Sequence, residues 1–354
     1  MHWELSEEQE LFASSLREWL GAKFPVEVVR ELRTSGAADK FTTALIGEGW
    51  WGVGYPEEAG GEGGGVLELA LAAREFGRAA APDSSWLAAA LAAPLLSEGD
   101  LAAQLAGDQR FAVATRGDRV PGSTFLPTDG ARLSGVVPHV IGAADATVLL
   151  VPVDGPDGRG IARVRASEAV ITPENLLDRG RSAATVEFTD ARVAEIAPGS
   201  DALSRVATVA AVLVAADALG SAERMLDLAV GYSKQRKQFG QFIGAFQAVK
   251  HAAARMLVTV EASYSTALYA AAAVDFEHDE AATIAAVAKA QVTGPVAELA
   301  DSALTVHGAI GYTWEHDLHL FYKRAKLDRA LFGAPGAWNE RIAADLLTTP
   351  VAAV

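Results

Sequence analysis

The chain contains no cysteine among its 354 residues. Disulfides, thiolate nucleophiles and cysteine metal sites are therefore excluded, and the composition fits a cytoplasmic protein. Basic residues are also in short supply: 30 Lys and Arg stand against 45 Asp and Glu, for a formal net charge of −15. Nucleic acid requires a basic surface to offset its phosphates, so it is not an expected partner. No run of 18 uncharged apolar residues suits a membrane span. The Ala-rich stretch Val206 to Leu219 is interrupted by Asp217 and has few leucines. The start lacks the basic segment of a signal peptide, and neither a repeat nor a low-complexity tail is visible. What is present is a 50% hydrophobic composition, enough for a large core and more than one structural unit.

Three textures follow one another. Apolar positions at Leu5, Leu11, Phe12, Leu16, Trp19 and Leu20 predict an amphipathic helix over 5–21, with Ser6 and Gln9 spaced as a capping box. Further helical runs are expected over 25–34, 38–50, 66–80 and 84–107, with a glycine-rich loop at Gly60–Gly65. From about 110, short β-branched runs alternate with Gly, Pro and Asp (110–115, 131–137, 146–153, 160–164, 169–171 and 184–188), as in a small β domain. From about 199 the pattern is helical again, over 201–235, 242–274, 278–306 and 336–347. The expected fold class is α+β. It comprises an N-terminal α-helical domain (1–108), a central small β-barrel domain (109–198) and a C-terminal four-helix bundle (199–354).

The segment with most chemistry is Arg236-Lys237-Gln238-Phe239-Gly240-Gln241-Phe242-Ile243-Gly244-Ala245-Phe246-Gln247. It sets a cation, amides and aromatic rings beside two glycines, directly after a long helix. Arg can fork onto a pyrophosphate, Phe239 offers a flat apolar face, and Gln238 and Gln247 can read polar ring or ribose atoms. On spacing alone a helix start with a surface Arg is the commoner arrangement.

This block resembles the R-x-x-F-G-x-x-x-x-x-x-Q segment of the acyl-CoA dehydrogenase family of flavoproteins. Thr305-Val306-His307-Gly308-Ala309-Ile310-Gly311-Tyr312-Thr313-Trp314-Glu315-His316-Asp317 resembles the family's Q-x-x-G-G-x-G-[FY] turn, in a form common in one bacterial branch. Trp50-Trp51-Gly52-Val53-Gly54-Tyr55-Pro56-Glu57-Glu58-Ala59-Gly60-Gly61 resembles its G-W-x-G-x-x-x-P-E-x-x-G-G, and Leu5-Ser6-Glu7-Glu8-Gln9 fits the opening. The matches fall in the family's order and span nearly the whole chain.

The resemblance implies FAD, with Arg236 at the pyrophosphate, Phe239 towards the adenine, Gln238 and Gln247 along the pocket, and Gly308 and Gly311 letting backbone approach the ADP moiety. Thr305 replaces the turn's glutamine and Ala309 its second glycine. Thr115 stands in for the threonine near the flavin ring, in Val113-Ala114-Thr115-Arg116-Gly117-Asp118, where the family's T-E-P-G-x-G-S-D loop is shortened. A tryptophan usual near Val140 is lacking. The implied reaction is α,β-dehydrogenation of a CoA thioester, in fatty acid or steroid catabolism, with an electron-transfer acceptor and a homo-oligomer or heterotetramer that shares FAD sites.

That reaction needs a carboxylate base at the substrate α carbon. The family's usual position holds Phe332, and the alternative one, directly after the cofactor arginine, holds Lys237. Two main readings follow: a non-catalytic partner subunit of a heterotetramer whose sister chain supplies Glu, of the kind seen in actinobacterial steroid side-chain degradation, or a dehydrogenase with a relocated base, for which Glu315 is a candidate, beside Asp317 and His316. Other flavin chemistry without a Glu base is a third, with no feature favouring it. The His316/His319 and Glu315/Asp317 pairs invite a metal reading, but the family is metal-free and none is expected. His251 and His307 could line the site or simply pack. Lys323, Arg324, Lys326 and Arg329 read as a basic helix end that caps a helix or meets CoA phosphates.

Overall fold

The computed structural model describes residues 4–348. The first helix, α1 (Glu7–Lys23), starts at the capping box: Ser6 N–H donates to Gln9 Oε1 at 2.9 Å, and Gln9 N–H donates to Ser6 Oγ at 3.2 Å. Two of the helix's orphan donors are thereby satisfied. α2 (Val26–Ser35) and α3 (Asp39–Gly47) follow, then the glycine loop and α4 (Val66–Ala79). The carboxylate of Asp275, 208 residues further on, caps α4 by accepting from the backbone of Val66 at 2.6 Å and Leu67 at 2.7 Å. The expected run over 84–107 is two helices, α5 (Ser84–Ala92) and α6 (Glu98–Leu105). Pro94 sits in the short turn that separates them, and Ser97 caps the second.

Two sheets share one apolar core. The larger has β1 (Phe111–Val113), β2 (Leu126–Pro127), β4 (Val148–Gly155), β5 (Gly158–Arg165) and β8 (Glu195–Pro198); the smaller has β3 (Arg132–Ile141), β6 (Ala169–Pro173) and β7 (Ala183–Arg192). β4 lies centrally, parallel to β1 and β2 and antiparallel to β5, and β3–β7–β6 is wholly antiparallel. Leu149, Val151 and Val164 from one sheet meet Val137, Val186 and Phe188 from the other.

The C-terminal helices are α7 (Ser200–Gln235), α8 (Gln247–Asp275), α9 (Ala281–His307), α10 (Leu318–Ala330) and α11 (Pro335–Thr348), with a two-residue hairpin of β9 (Lys237–Gln238) and β10 (Gln241–Phe242) between the first two. α7 is the axis, packing on α8, α9, α10 and, across the N-terminal region, α4. α7 and α8 are long and apolar enough to cross a membrane by composition, but 83% of the most apolar window of α7 is buried inside the protein. Where α4 crosses α7, Gly77 and Gly220 lie in the contact: a Cβ on Gly77 would overlap the Asp217 carbonyl, and one on Gly220 the Arg74 carbonyl. The helices touch through backbone.

Buried charges join all three regions. Arg324 of α10 donates to Asp217 of α7 at 2.9 and 2.8 Å, to Asp83 beside α5 at 2.7 Å and to the Ala81 carbonyl at 2.7 Å. Arg181, on the β6–β7 connection, reaches Asp217 at 3.0 Å. Arg33 of α2 pairs with Asp178 of the same connection. Asp328, one turn beyond Arg324, is fully buried beside them. Unpaired charges at such depth are prohibitive, so the cluster forms only when the three regions meet.

Candidate functional site

The arm after α7 matches its expected character. Phe239 (φ 51°) and Gly240 (φ 80°) form the two-residue turn between β9 and β10, both in the left-handed region. A hairpin turn with two positive φ angles twists in the sense that antiparallel strands require. Phe239 is held outward, 92% exposed, with its ring 6.1 Å from that of Phe246. Arg236, Lys237, Gln238 and Gln247 are exposed as well. The Ile243 N–H donates to the Arg236 carbonyl at 2.8 Å, closing the base of the arm. Lys237 lies over the Phe242 ring at 4.7 Å, facing no carboxylate.

The glycine turn ends α9 beside this arm. Tyr232 of α7 stacks on His307 with centroids 4.8 Å apart, and His307 meets His316 at 4.5 Å. Gly308 has φ 64° and ψ −145° with open space where a Cβ would stand. Only glycine adopts that backbone without strain, and its exposed side is free for a ligand. Gly311 differs: it is buried, and a Cβ would meet Leu304 at 2.8 Å and His307 and Leu318 at 3.1 Å. Its missing side chain serves packing inside the chain. The Thr305 hydroxyl donates to the Asp301 carbonyl one turn back at 2.8 Å and is exposed. The His307 Nδ1 lies 2.7 Å from the Ala303 carbonyl, and burial holds its pKa below the ordinary histidine value. His251 lies exposed on α8.

Phe332 lies at the far end of α10, against the segment that holds Thr115 and Gly117. This 13-residue helix separates them from the glycine turn by about 20 Å. The Phe332 N–H donates to the Gly117 carbonyl at 2.6 Å, and Trp338 Nε1–H donates to the Phe332 carbonyl at 3.1 Å. Lys289, wholly buried in α9, donates to the Asp328 carbonyl at 2.9 Å and the Gly333 carbonyl at 3.1 Å. Burial pushes its pKa down to about 7. Phe332 sits at φ 54° and is 1% exposed; Thr115 is 2% exposed. A side chain that lines a cavity large enough for a flavin ring presents surface to that cavity, and neither of these does. Close by, His139 (φ 60°) pairs with Glu174 at 2.5 Å. Val140, near which the family tryptophan was sought, is fully buried.

Glu315 is exposed in the loop before α10, at the opposite end of that helix from Phe332. Asp317 is engaged by Arg30. Of the basic run in α10, Arg329 lies in the last turn of the helix, whereas Arg324 is in the buried cluster, Lys326 donates to Ala297 and Asp301, and Lys323 lies over the Trp314 ring at 4.1 Å. Among the described residues no group of three or more His, Asp or Glu is placed to hold a metal. Sequence reading missed Lys289, although a lysine inside the apolar run of α9 was a signal. It also missed the pairing of Arg181 with Asp83 and Asp217, which no local pattern encodes.

The arm and the turn thus fit the ADP half of a dinucleotide. They offer a cation without an intrachain carboxylate, an aromatic face and an unhindered glycine backbone. The residues expected at the ring half are closed over. Two family models match the chain: the acyl-CoA dehydrogenase N-terminal domain over residues 6–104, and the acyl-CoA dehydrogenase C-terminal domain over 198–347. The acyl-CoA dehydrogenase IpdE2 of Mycobacterium tuberculosis is 32% identical over 83% of this chain and 82% of its own length. The chain belongs to the acyl-CoA dehydrogenase family. Its relatives include several mycobacterial acyl-CoA dehydrogenases, and similar structures include a steroid acyl-CoA dehydrogenase. FadE34 of M. tuberculosis is 35% identical over 85% of this chain, which spans 41% of that longer protein. The ChsE4–ChsE5 complex of M. tuberculosis superposes with a TM-score of 0.86 at 26% identity, over 99% of this chain and 100% of the other. The Tcur3481–Tcur3483 steroid dehydrogenase variant does so with 0.86 at 27%, over 96% and 98%.

Proposed function

We propose that this chain is the supporting subunit of a heteromeric, cytoplasmic acyl-CoA dehydrogenase, with a sister chain supplying the base and the flavin-ring pocket. The observation that carries this reading is the asymmetry of the two half-sites. The arm of Arg236, Gln238, Phe239 and Gln247 stands in solvent, whereas Thr115 and Phe332 are buried. When bound, FAD supplies a hydride acceptor for the β carbon of a CoA thioester. Toward it, this chain contributes Arg236 for pyrophosphate charge, Phe239 as an apolar face, and the Gly308 backbone with Thr305 at the ADP end. It contributes no carboxylate where the α proton leaves, because Phe332 and Lys237 hold both base positions. The kinship with steroid-type dehydrogenases favours a bulky acyl group on the sister's side of the assembly and an external electron acceptor.

The alternative of a self-sufficient dehydrogenase with Glu315 as base lacks support from the geometry, since Glu315 lies a helix length from Phe332. The test is the visible spectrum of the chain purified alone and after co-expression with a family member that carries Glu in one of the base positions. Flavin absent alone and present in the complex supports the reading. Near one flavin per chain alone, with acyl-CoA turnover, refutes it.

A further inference from the structure

A cleft of about 440 Å³ lies between α2, the β6–β7 connection and the start of α10, beside the loop that follows the glycine turn. That volume is in the range of small-molecule pockets. Its apolar walls are Leu177, Leu320 and the Trp314 indole, which is 66% exposed. Four cations line it, Arg30, Arg33, Arg179 and Lys323, against a single acidic liner, Glu31. In a chain of net charge −15 this is a local reversal of sign. Arg30 is occupied by Asp317 and the Trp314 carbonyl, and Arg33 by Asp178. These two set the field without a free fork. Among the described residues the exposed Arg179 pairs with no carboxylate, and the Lys323 ammonium rests over Trp314.

A second observation is independent of charge. His319 lines the same cleft, is only 6% exposed, and has no hydrogen-bond partner at either ring nitrogen. Buried polar nitrogens without partners are uncommon and costly. Burial, helped by Lys323 and Arg30, pushes its pKa down to about 4, so at neutral pH the ring offers one donor and one acceptor. Trp314 meets the His319 ring edge-on at 4.9 Å, so the polar and apolar features occupy one cavity.

We propose that this cleft binds an amphipathic anion: one carboxylate or phosphate head group carried on an apolar ring or chain. The head group pairs with Arg179 and Lys323, the apolar body lies on Trp314 and Leu177, and a polar atom of the ligand satisfies His319. Two sources share this chemistry, a free carboxylic acid and a CoA ester.

The test is calorimetric titration of the full chain with decanoate, decanoyl-CoA, free CoA and the neutral decanol. One site per chain is expected for decanoate or its CoA ester, with decanol at least about tenfold weaker. Lys323→Ala and Arg179→Ala should each weaken binding about five- to tenfold, the loss of one charge-assisted hydrogen bond. Arg119→Ala, on the exposed loop after β1, should leave it unchanged. Arg179 is exposed, so its variant is expected to fold even if another fails. Tighter binding of decanoate than of its CoA ester assigns a free acid. Competition by free CoA that is lost in both variants assigns a phosphate. Absence of binding up to millimolar concentration, decanol binding as tightly as decanoate, or affinity indifferent to both substitutions overturns the proposal.

Discussion

Asp328→Asn should stabilise the chain increasingly as pH rises. The buried cluster holds three guanidiniums, on Arg33, Arg181 and Arg324, and four carboxyls, on Asp83, Asp178, Asp217 and Asp328. The charges balance only if one carboxyl is neutral. Burial, then the neighbouring Asp217, raises the Asp328 pKa well above the carboxylate range, while Arg324 and Arg181 overcome the burial of Asp217 and hold it near 2. Neither Asp328 oxygen accepts a hydrogen bond, as suits an acid whose own proton faces Asp217. An acid with a raised folded pKa takes up a proton on folding between about pH 4 and that pKa. Wild-type stability therefore falls as pH rises through this window, by up to about 1.4 kcal/mol per pH unit. Asparagine keeps the shape and a donor but does not titrate. The advantage of the variant should therefore grow with pH across this window, by up to about 1.4 kcal/mol per pH unit. With an unfolding entropy of about 2.1 cal/mol/K per residue, that is at most roughly 2 °C of melting temperature per pH unit relative to wild type. Asp217→Asn, by contrast, strips a charged partner from two buried arginines and should cost about 3–5 kcal/mol. Its pH behaviour is opposite in sign: the stability Asp217 confers is present above about pH 4 and fades as pH falls towards 2. The assay is thermal unfolding of wild type and both variants at pH 5, 6 and 7. A difference between Asp328→Asn and wild type that stays constant with pH would refute the protonated-acid assignment, as would damage equal to that of Asp217→Asn.

Phe332→Glu should not confer dehydrogenase activity on the isolated chain, and should lower stability by about 3–5 kcal/mol, the scale of losing a buried aromatic side chain; denaturation midpoints and acyl-CoA turnover check both halves. Gly220→Ala should destabilise by about 1–3 kcal/mol or more through overlap with the Arg74 backbone. Gly231→Ala in the same helix, with open space around it, should be neutral or stabilise by up to about 1 kcal/mol. Arg236→Ala should leave the melting temperature of the isolated chain unchanged and weaken flavin retention by the assembled complex about tenfold or more, read from bound absorbance during dialysis.

The parts of the fold written in local pattern were readable. The Ser6–Gln9 capping box, the glycine loop before Val66 and the exposed Arg236 arm all follow from residue types at fixed offsets. α10 was not resolved as a separate helix. Two of its core-facing residues, Arg324 and Asp328, are of ionisable types, so the apolar stripe that marks a buried helix face is interrupted. The break within 84–107 was available at Pro94 but masked by flanking Ala and Leu. β8 is four residues long and mostly exposed, and it exists through its pairing with β5. At the candidate site, the missing carboxylates at Phe332 and Lys237 were evident in the sequence. That Phe332 is sealed against Gly117 was not, because that contact joins residues more than 200 apart. The cleft around His319 was equally hidden, being assembled from three distant segments.

The backbone crossing of α4 and α7 constrains how this lineage can drift. Asp217, whose carbonyl lies against Gly77, also presents its side chain to Arg181 and Arg324. A side chain gained at position 77 would part the helices and move a carboxylate that both arginines share. Mutations at a small residue in the first hundred positions are thereby tied to residues on the β6–β7 connection and on α10. Substitution there is expected to persist only alongside compensating changes in all three regions, so the crossing should evolve as a single inherited unit, a constraint the solvent-facing arm does not share.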